Sequence, residues 1–144
     1  MKVNVYNQDV FKSTTIYNDT NVENSTNEYF ICINSSGNIH AIPHFKNKHF
    51  NVLNCYFDDT DKDRIKVSGD IVYFARACTD KQAKEIKSFI DTIPRDANVH
   101  VYCAKGKSRS TAVSKFIEEY KGIEHKTEFK TYNSYVYNLL WKQI

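Results

Sequence analysis

The chain has 144 residues, 41% of them hydrophobic and 26% charged, with a formal net charge of +3 at pH 7. That length predicts a single domain over residues 1–144, with a core that needs neither metal nor disulfide. No apolar run approaches a membrane span, and the polar start Met1-Lys-Val-Asn-Val-Tyr6 is unlike a signal peptide, so the expected location is cytoplasmic. The mild positive charge suits an anionic substrate and gives no independent case for nucleic acid.

Lys2 to Tyr6 alternates apolar and polar residues and predicts a first strand, followed by a short helix around Gln8–Thr14. The remainder up to residue 27, rich in Asn, Thr, Ser and Asp, reads as turn or loop. Glu28-Tyr-Phe-Ile-Cys-Ile-Asn34 predicts a buried strand, ended by Ser35-Ser-Gly-Asn38. His40, His44 and His49 follow in a polar stretch. They lack helical HxxxH pairing with a third ligand and read as surface histidines rather than a metal site. Asn51 to Phe57 predicts the next strand, and the acidic cluster Asp58-Asp-Thr-Asp-Lys-Asp63 comes directly after it. A carboxylate on a loop just past a strand stands at the mouth of a parallel sheet, where Asp58 or Asp59 can handle a proton. Turn formation alone accounts for Asp61 and Asp63.

Residues 60–78 read as loop apart from Ile71–Ala75, a short strand or extended segment. Thr79 begins a helix with Gln82 three positions on, a capping box. Ala83, Ile86, Phe89, Ile90 and Ile93 line one face of this helix and Pro94 ends it, so it reads as a packing element. Arg76, just before it, reads as an exposed charge. Asn98 to Cys103 then predicts a strand, and Ala112, Val113, Phe116, Ile117 and Tyr120 recur at helical spacing up to a stop at Gly122. Glu124 to Lys130 is a charged connection. A terminal helix starts near Tyr132 or Asn133 and carries Val136, Leu139, Leu140 and Trp141.

Between the last strand and the helix after it lies Cys103-Ala-Lys-Gly-Lys-Ser-Arg109. A chain that leaves a strand and turns at once into a helix points several N–H groups into one concave space, which holds an anion. The backbone of Ala104, Lys105, Gly106, Lys107, Ser108 and Arg109 would form that cradle, with Gly106 allowing the tight turn. Arg109 can bind two phosphate oxygens and keeps its charge at any working pH. Cys103 sits at the loop floor, where the same dipoles favour thiolate over thiol. Ser110 can hydrogen-bond the sulfur and ease its later departure. Cys32, Cys55 and Cys78 show no CxxC spacing and read as core thiols in a reducing compartment. A reversible disulfide from Cys55 or Cys78 to Cys103 is the sharper alternative.

Cys-x-x-Gly-x-x-Arg-Ser between a strand and a helix resembles the signature of cysteine-dependent protein tyrosine and dual-specificity phosphatases. The resemblance takes in Val52–Thr60, the helix before the catalytic strand, and the closing Tyr132–Trp141, which is similar to the last helix of small phage and bacterial members. It runs from about residue 28 to the end. It implies an α/β fold with a central, mostly parallel sheet of four to five strands flanked by helices. It also implies a phosphomonoester hydrolase with Cys103 as nucleophile, Arg109 and the loop on phosphate, and no cofactor or metal. Matching Asp-Thr to the family pattern selects Asp59 as general acid, with Asp58 in reserve. The substrate would be a phosphorylated protein or another phosphomonoester, with nucleic acid only as a substrate.

The family carries His immediately before the cysteine, where this chain has Tyr102. That departure motivates one alternative, a catalytically impaired phosphate-binding protein. Lys105 and Lys107 motivate another, a phosphatase for RNA 5′ ends, nucleotides or phospholipids. A sulfur-transfer or arsenate-reducing enzyme with a similar loop is the third.

Overall fold

The computed structural model describes residues 1–14, 27–37, 51–124 and 131–144. Its centre is a four-stranded sheet made of β1 (Lys2–Asn7), β2 (Glu28–Asn34), β3 (Val52–Tyr56) and β6 (Asn98–Cys103). The order is β1-β6-β2-β3, and every neighbouring pair is parallel. The last strand in sequence therefore lies inside the sheet, between β1 and β2.

The period-two alternation of β6 decides which residue faces what. Val99, Val101 and Cys103 point to one face, together with Ile31, Ile33 and Cys55. That face is covered by α2 (Asp80–Asp91), α3 (Arg109–Lys121) and α4 (Ser134–Trp141), which contribute Ala83, Ile86, Ile90, Val113, Phe116 and Leu140 to one buried cluster. On the opposite face Phe30, Cys32 and Tyr102 pack against Phe11 of α1 (Gln8–Ser13). Helices thus flank both sides of the sheet.

Local chemistry explains where the helices begin and end. Thr79 and Gln82 form the expected capping box: the Gln82 N–H donates to Thr79 Oγ1 at 3.1 Å and the Thr79 N–H to Gln82 Oε1 at 2.9 Å. Helix α3 stops at Gly122, whose φ of 66° lets its N–H turn back to the carbonyls of Glu118 and Glu119. Asn133 caps α4 through a 3.0 Å bond from the Val136 N–H.

One element was not foreseen. Residues 64–75 are more than a loop with a short strand: β4 (Arg64–Ser68) pairs antiparallel with β5 (Ile71–Ala75) in a separate two-stranded hairpin. Gly69, at φ 60°, makes the turn together with Asp70. His40, His44 and His49 lie outside the described residues, as do nearly all of the 124–130 connection and most of the 7–27 loop. Among the described residues no helix is long and apolar enough to cross a membrane.

Candidate active site

The carboxyl ends of β6, β2 and β3 open into a cleft of about 860 Å³. From β6 and the loop after it come Cys103, Ala104, Lys105, Lys107, Ser108 and Arg109; from the β2 and β3 ends come Ser35, Gly37, Asp58 and Asp59. A parallel sheet followed directly by helices gathers these groups at one rim.

Gly106 fixes the loop's shape. Its φ is 65°, and a Cβ there would lie 2.5 Å from the Asn7 nitrogen and 2.7 Å from the Tyr6 carbonyl carbon. The expected need for glycine is thus met twice, by the left-handed backbone and by close approach to the end of β1. Among the described residues, no backbone N–H from Lys105 to Arg109 donates to a backbone carbonyl. The N–H groups of Lys105, Lys107, Ser108 and Arg109, in the turn into the 13-residue helix α3, are available to an anion, while that of Gly106 donates to the Cys103 sulfur.

Cys103 is 2% exposed, and its sulfur lies 3.1 Å from Ser110 Oγ. Burial, the largest influence, disfavours the thiolate. The Ser110 hydroxyl and N–H, the Arg109 charge and the Gly106 N–H together outweigh it, so the thiol ionises below its ordinary value. Arg109 is buried and fixed by a 2.7 Å bond from Nη1 to the Phe57 carbonyl and a 3.5 Å bond to Ser35 Oγ. Its Nε is buried without a hydrogen-bond partner. A guanidinium N–H left unpaired in such a place has a donor ready for a ligand oxygen.

The two adjacent carboxylates have different surroundings. Asp58 accepts bonds from the Ser36 N–H at 3.1 Å, the Ser36 hydroxyl and the Arg76 N–H at 2.8 Å. Burial pushes its pKa up, but these donors and the Arg109 charge prevail and hold it below the usual carboxylate range. Such a group ties the loop together and is a poor proton donor. Asp59 is exposed at the cleft, and its Oδ1 alone accepts bonds, from Ser108 Oγ at 2.8 Å and Asn133 Nδ2 at 2.9 Å. Oδ2 is left without a hydrogen-bond partner among the described residues.

Tyr102 points away from the sulfur, into the opposite face of the sheet. Its hydroxyl donates to Asn34 Oδ1 at 2.7 Å and its ring stacks on Phe11 at 4.8 Å. Burial raises its pKa strongly, so it stays a neutral phenol. The other three cysteines are free and buried. Burial pushes Cys32 and Cys78 up to about 12 and raises Cys55 as well. Thiols held protonated in this way are poor partners for thiol–disulfide exchange with Cys103.

Sequence reasoning named Asn133 only as a possible start of the last helix and missed its bond to Asp59, and it missed the hairpin wall made by Lys66, Ile71, Tyr73 and Phe74. Lys105 and Lys107 are exposed at the rim of the cleft. Arg76 is an exposed charge whose guanidinium lies 5.2 Å from the Phe74 ring centre, and it does not line the cleft. Comparison with protein-family models, with curated proteins and with solved structures finds no match in any of the three.

Proposed function

We propose that the protein is a cysteine-dependent phosphomonoester hydrolase of the tyrosine and dual-specificity phosphatase type. One observation carries this reading: a buried thiol favoured as thiolate lies in a loop with available N–H groups, beside a buried arginine whose Nε is unpaired. A phosphate oxygen dianion supplies what those donors lack.

In the first step the Cys103 thiolate attacks phosphorus in line with the ester oxygen. The S–P bond forms as the P–O bond breaks, and Asp59 transfers a proton from Oδ2 to the departing oxygen. Arg109 and the available loop N–H groups hold the equatorial oxygens as charge redistributes among them. In the second step water attacks the cysteinyl-phosphate and gives its proton to the Asp59 carboxylate. The S–P bond breaks, and the Ser110 hydroxyl stabilises the leaving thiolate. The two bonds to Asp59 Oδ1 hold the carboxyl so that Oδ2 is the oxygen free to carry the proton.

Phosphate release from para-nitrophenyl phosphate across pH tests the reading, with Cys103→Ser as control. Activity that vanishes in the variant and survives a chelator is the expected result. A wild type as inert as the variant, yet able to bind vanadate, would make the protein a phosphate-binding module. Tyr102 gives that module reading little support, because its hydroxyl is already tied to Asn34.

A second reading, hydrolysis at RNA 5′ ends, nucleotides or phospholipids, draws on Lys66, Lys105 and Lys107 around the cleft. Three ammonium groups beside one phosphate site suit substrates with several phosphates. Parallel turnover of a phosphotyrosine peptide, a phosphoserine peptide and triphosphate-ended RNA separates the two.

A further inference from the structure

The β4–β5 hairpin has two unlike faces. In its register Ile65 lies opposite Phe74 and Val67 opposite Val72, which puts four apolar side chains on one side. Lys66 opposite Tyr73 and Ser68 opposite Ile71 occupy the other, and Lys66, Tyr73 and Ile71 line the cleft. Among the described residues the first face is open, with Ile65 70% exposed, Val67 70%, Val72 65% and Phe74 49%; on the cleft side Ile71 is exposed too, at 66%, and Tyr73 at 42%. Phe74 also reaches the cleft rim.

A two-stranded ribbon is marginal in water unless something packs on it. The four side chains expose roughly 500 Å², near the upper end for one apolar patch on a monomeric protein. Two such faces together remove at most about 1,000 Å² from water, the size of a weak, transient interface. Charge narrows the choice of occupant. The strands' charged residues, Arg64 and Lys66, point to the cleft side and Asp70 sits in the turn. Arg76, over the Phe74 ring, and Asp63, two residues before Ile65, border the apolar side at the open end of the hairpin. An apolar surface with one cation and one carboxylate at its edge has no net charge to attract RNA, an acidic peptide or an anionic bilayer.

We infer that this face binds the same face of a second copy of the chain, forming an isologous two-fold dimer through stacked β4–β5 hairpins. Antiparallel pairs of valines and aromatics are self-complementary under a two-fold axis, and homodimer interfaces are the most apolar class. The opposite side of each hairpin stays with its own cleft, so both clefts remain open in the dimer.

Sedimentation velocity over a concentration series tests this, with V67K/V72K and V67E/V72E as variants. These positions are outside the cleft and exposed, so far-UV circular dichroism and thermal unfolding of both variants should match wild type. The wild type should pass from one chain to two with a Kd of about micromolar, as expected for an interface of this small area. Each variant alone should dissociate at least about tenfold more readily, because like charges then meet across the axis. Mixing the lysine and glutamate variants should restore the two-chain species. A wild type that stays a single chain at about 100 µM, far above that Kd, overturns the inference. So does a variant that associates as tightly as wild type. A single-chain wild type that co-sediments with neutral phosphatidylcholine vesicles overturns it too, and assigns the face to a bilayer.

Discussion

Replacing Ser110 with alanine removes one oxygen at the position that matters most to the thiol. Ser110 is fully buried and its hydroxyl lies 3.1 Å from the Cys103 sulfur, so no water takes its place without rearrangement. A hydrogen bond to a charged group contributes about 1.5–3 kcal/mol. Thiolate charge is diffuse, and the Ser110 and Gly106 N–H groups and the Arg109 charge remain, so the lower end applies. About 1.4 kcal/mol corresponds to one pH unit. The thiol of the variant should therefore ionise about one unit higher than that of wild type. The sign follows directly: between the two values wild type is thiolate and the variant is thiol. Inactivation by iodoacetamide, followed as a function of pH, reads this as a rightward shift of the midpoint. At pH values below both midpoints the variant should react about tenfold more slowly, and the two curves should meet at high pH. With a phosphomonoester the variant should also release its aryl alcohol in a burst, because the thiolate leaves the cysteinyl-phosphate less readily. A midpoint that does not move would refute the assignment of Ser110 as donor to the sulfur.

Asn133→Ala removes both a helix cap, costing about 1 kcal/mol, and one of the two donors to Asp59. Turnover of para-nitrophenyl phosphate should fall about tenfold, and the loss should shrink with more acidic leaving groups that need no proton; an equal loss for all would leave only the structural role. Gly106→Ala forces a Cβ into the Tyr6–Asn7 backbone at a left-handed φ, and should abolish activity and cost about 2 kcal/mol or more in urea unfolding. The Asp58 carboxyl titrates below its unfolded value of about 3.9, so its stabilisation is complete above that pH and is lost as pH falls through the folded value. Asp58→Asn should therefore cost about 2 kcal/mol at pH 7 and progressively less as pH falls below about 3.9, a trend that urea unfolding over a pH series reads.

The parallel core was legible because β2 and β6 are dense in β-branched and aromatic residues, and because Thr79, Gln82 and Gly122 mark helix ends by local chemistry. The residues from Cys103 to Arg109 are contiguous, so the strand-to-helix turn that joins a thiol to an arginine was legible from spacing alone. The choice of Asp59 over Asp58 rested on the resemblance alone, and the different partners of the two carboxylates are visible only in the structure. Both follow the same strand, and the difference lies in Ser36 and Arg76 for one and in Ser108 and Asn133 for the other, all distant in sequence. Strand β4 was missed because Ile65-Lys66-Val67-Ser68 is short and sits among charges. Its partner β5 is apolar at every position, which hides the alternation. The Gly69-Asp70 pair between them was the available signal. The reason Gly106 cannot bear a side chain was equally hidden, because the atoms it would strike belong to β1, about a hundred residues earlier.

The position of β6 between β1 and β2 governs the order in which the protein can be completed. As the chain is made, β2 and β3 can pair early, while β1 has no parallel neighbour until residues 98–103 exist. Insertion of β6 then closes the sheet on both sides at once, across a sequence gap that makes such contacts slow to form. Gly106 meets the end of β1 in that same event, so the loop takes its shape only when the sheet is whole. A ribosome-bound or truncated chain that has not reached β6 carries neither the thiol nor the pocket that ionises it. The surroundings that lower the Cys103 pKa therefore exist only in molecules whose sheet is complete.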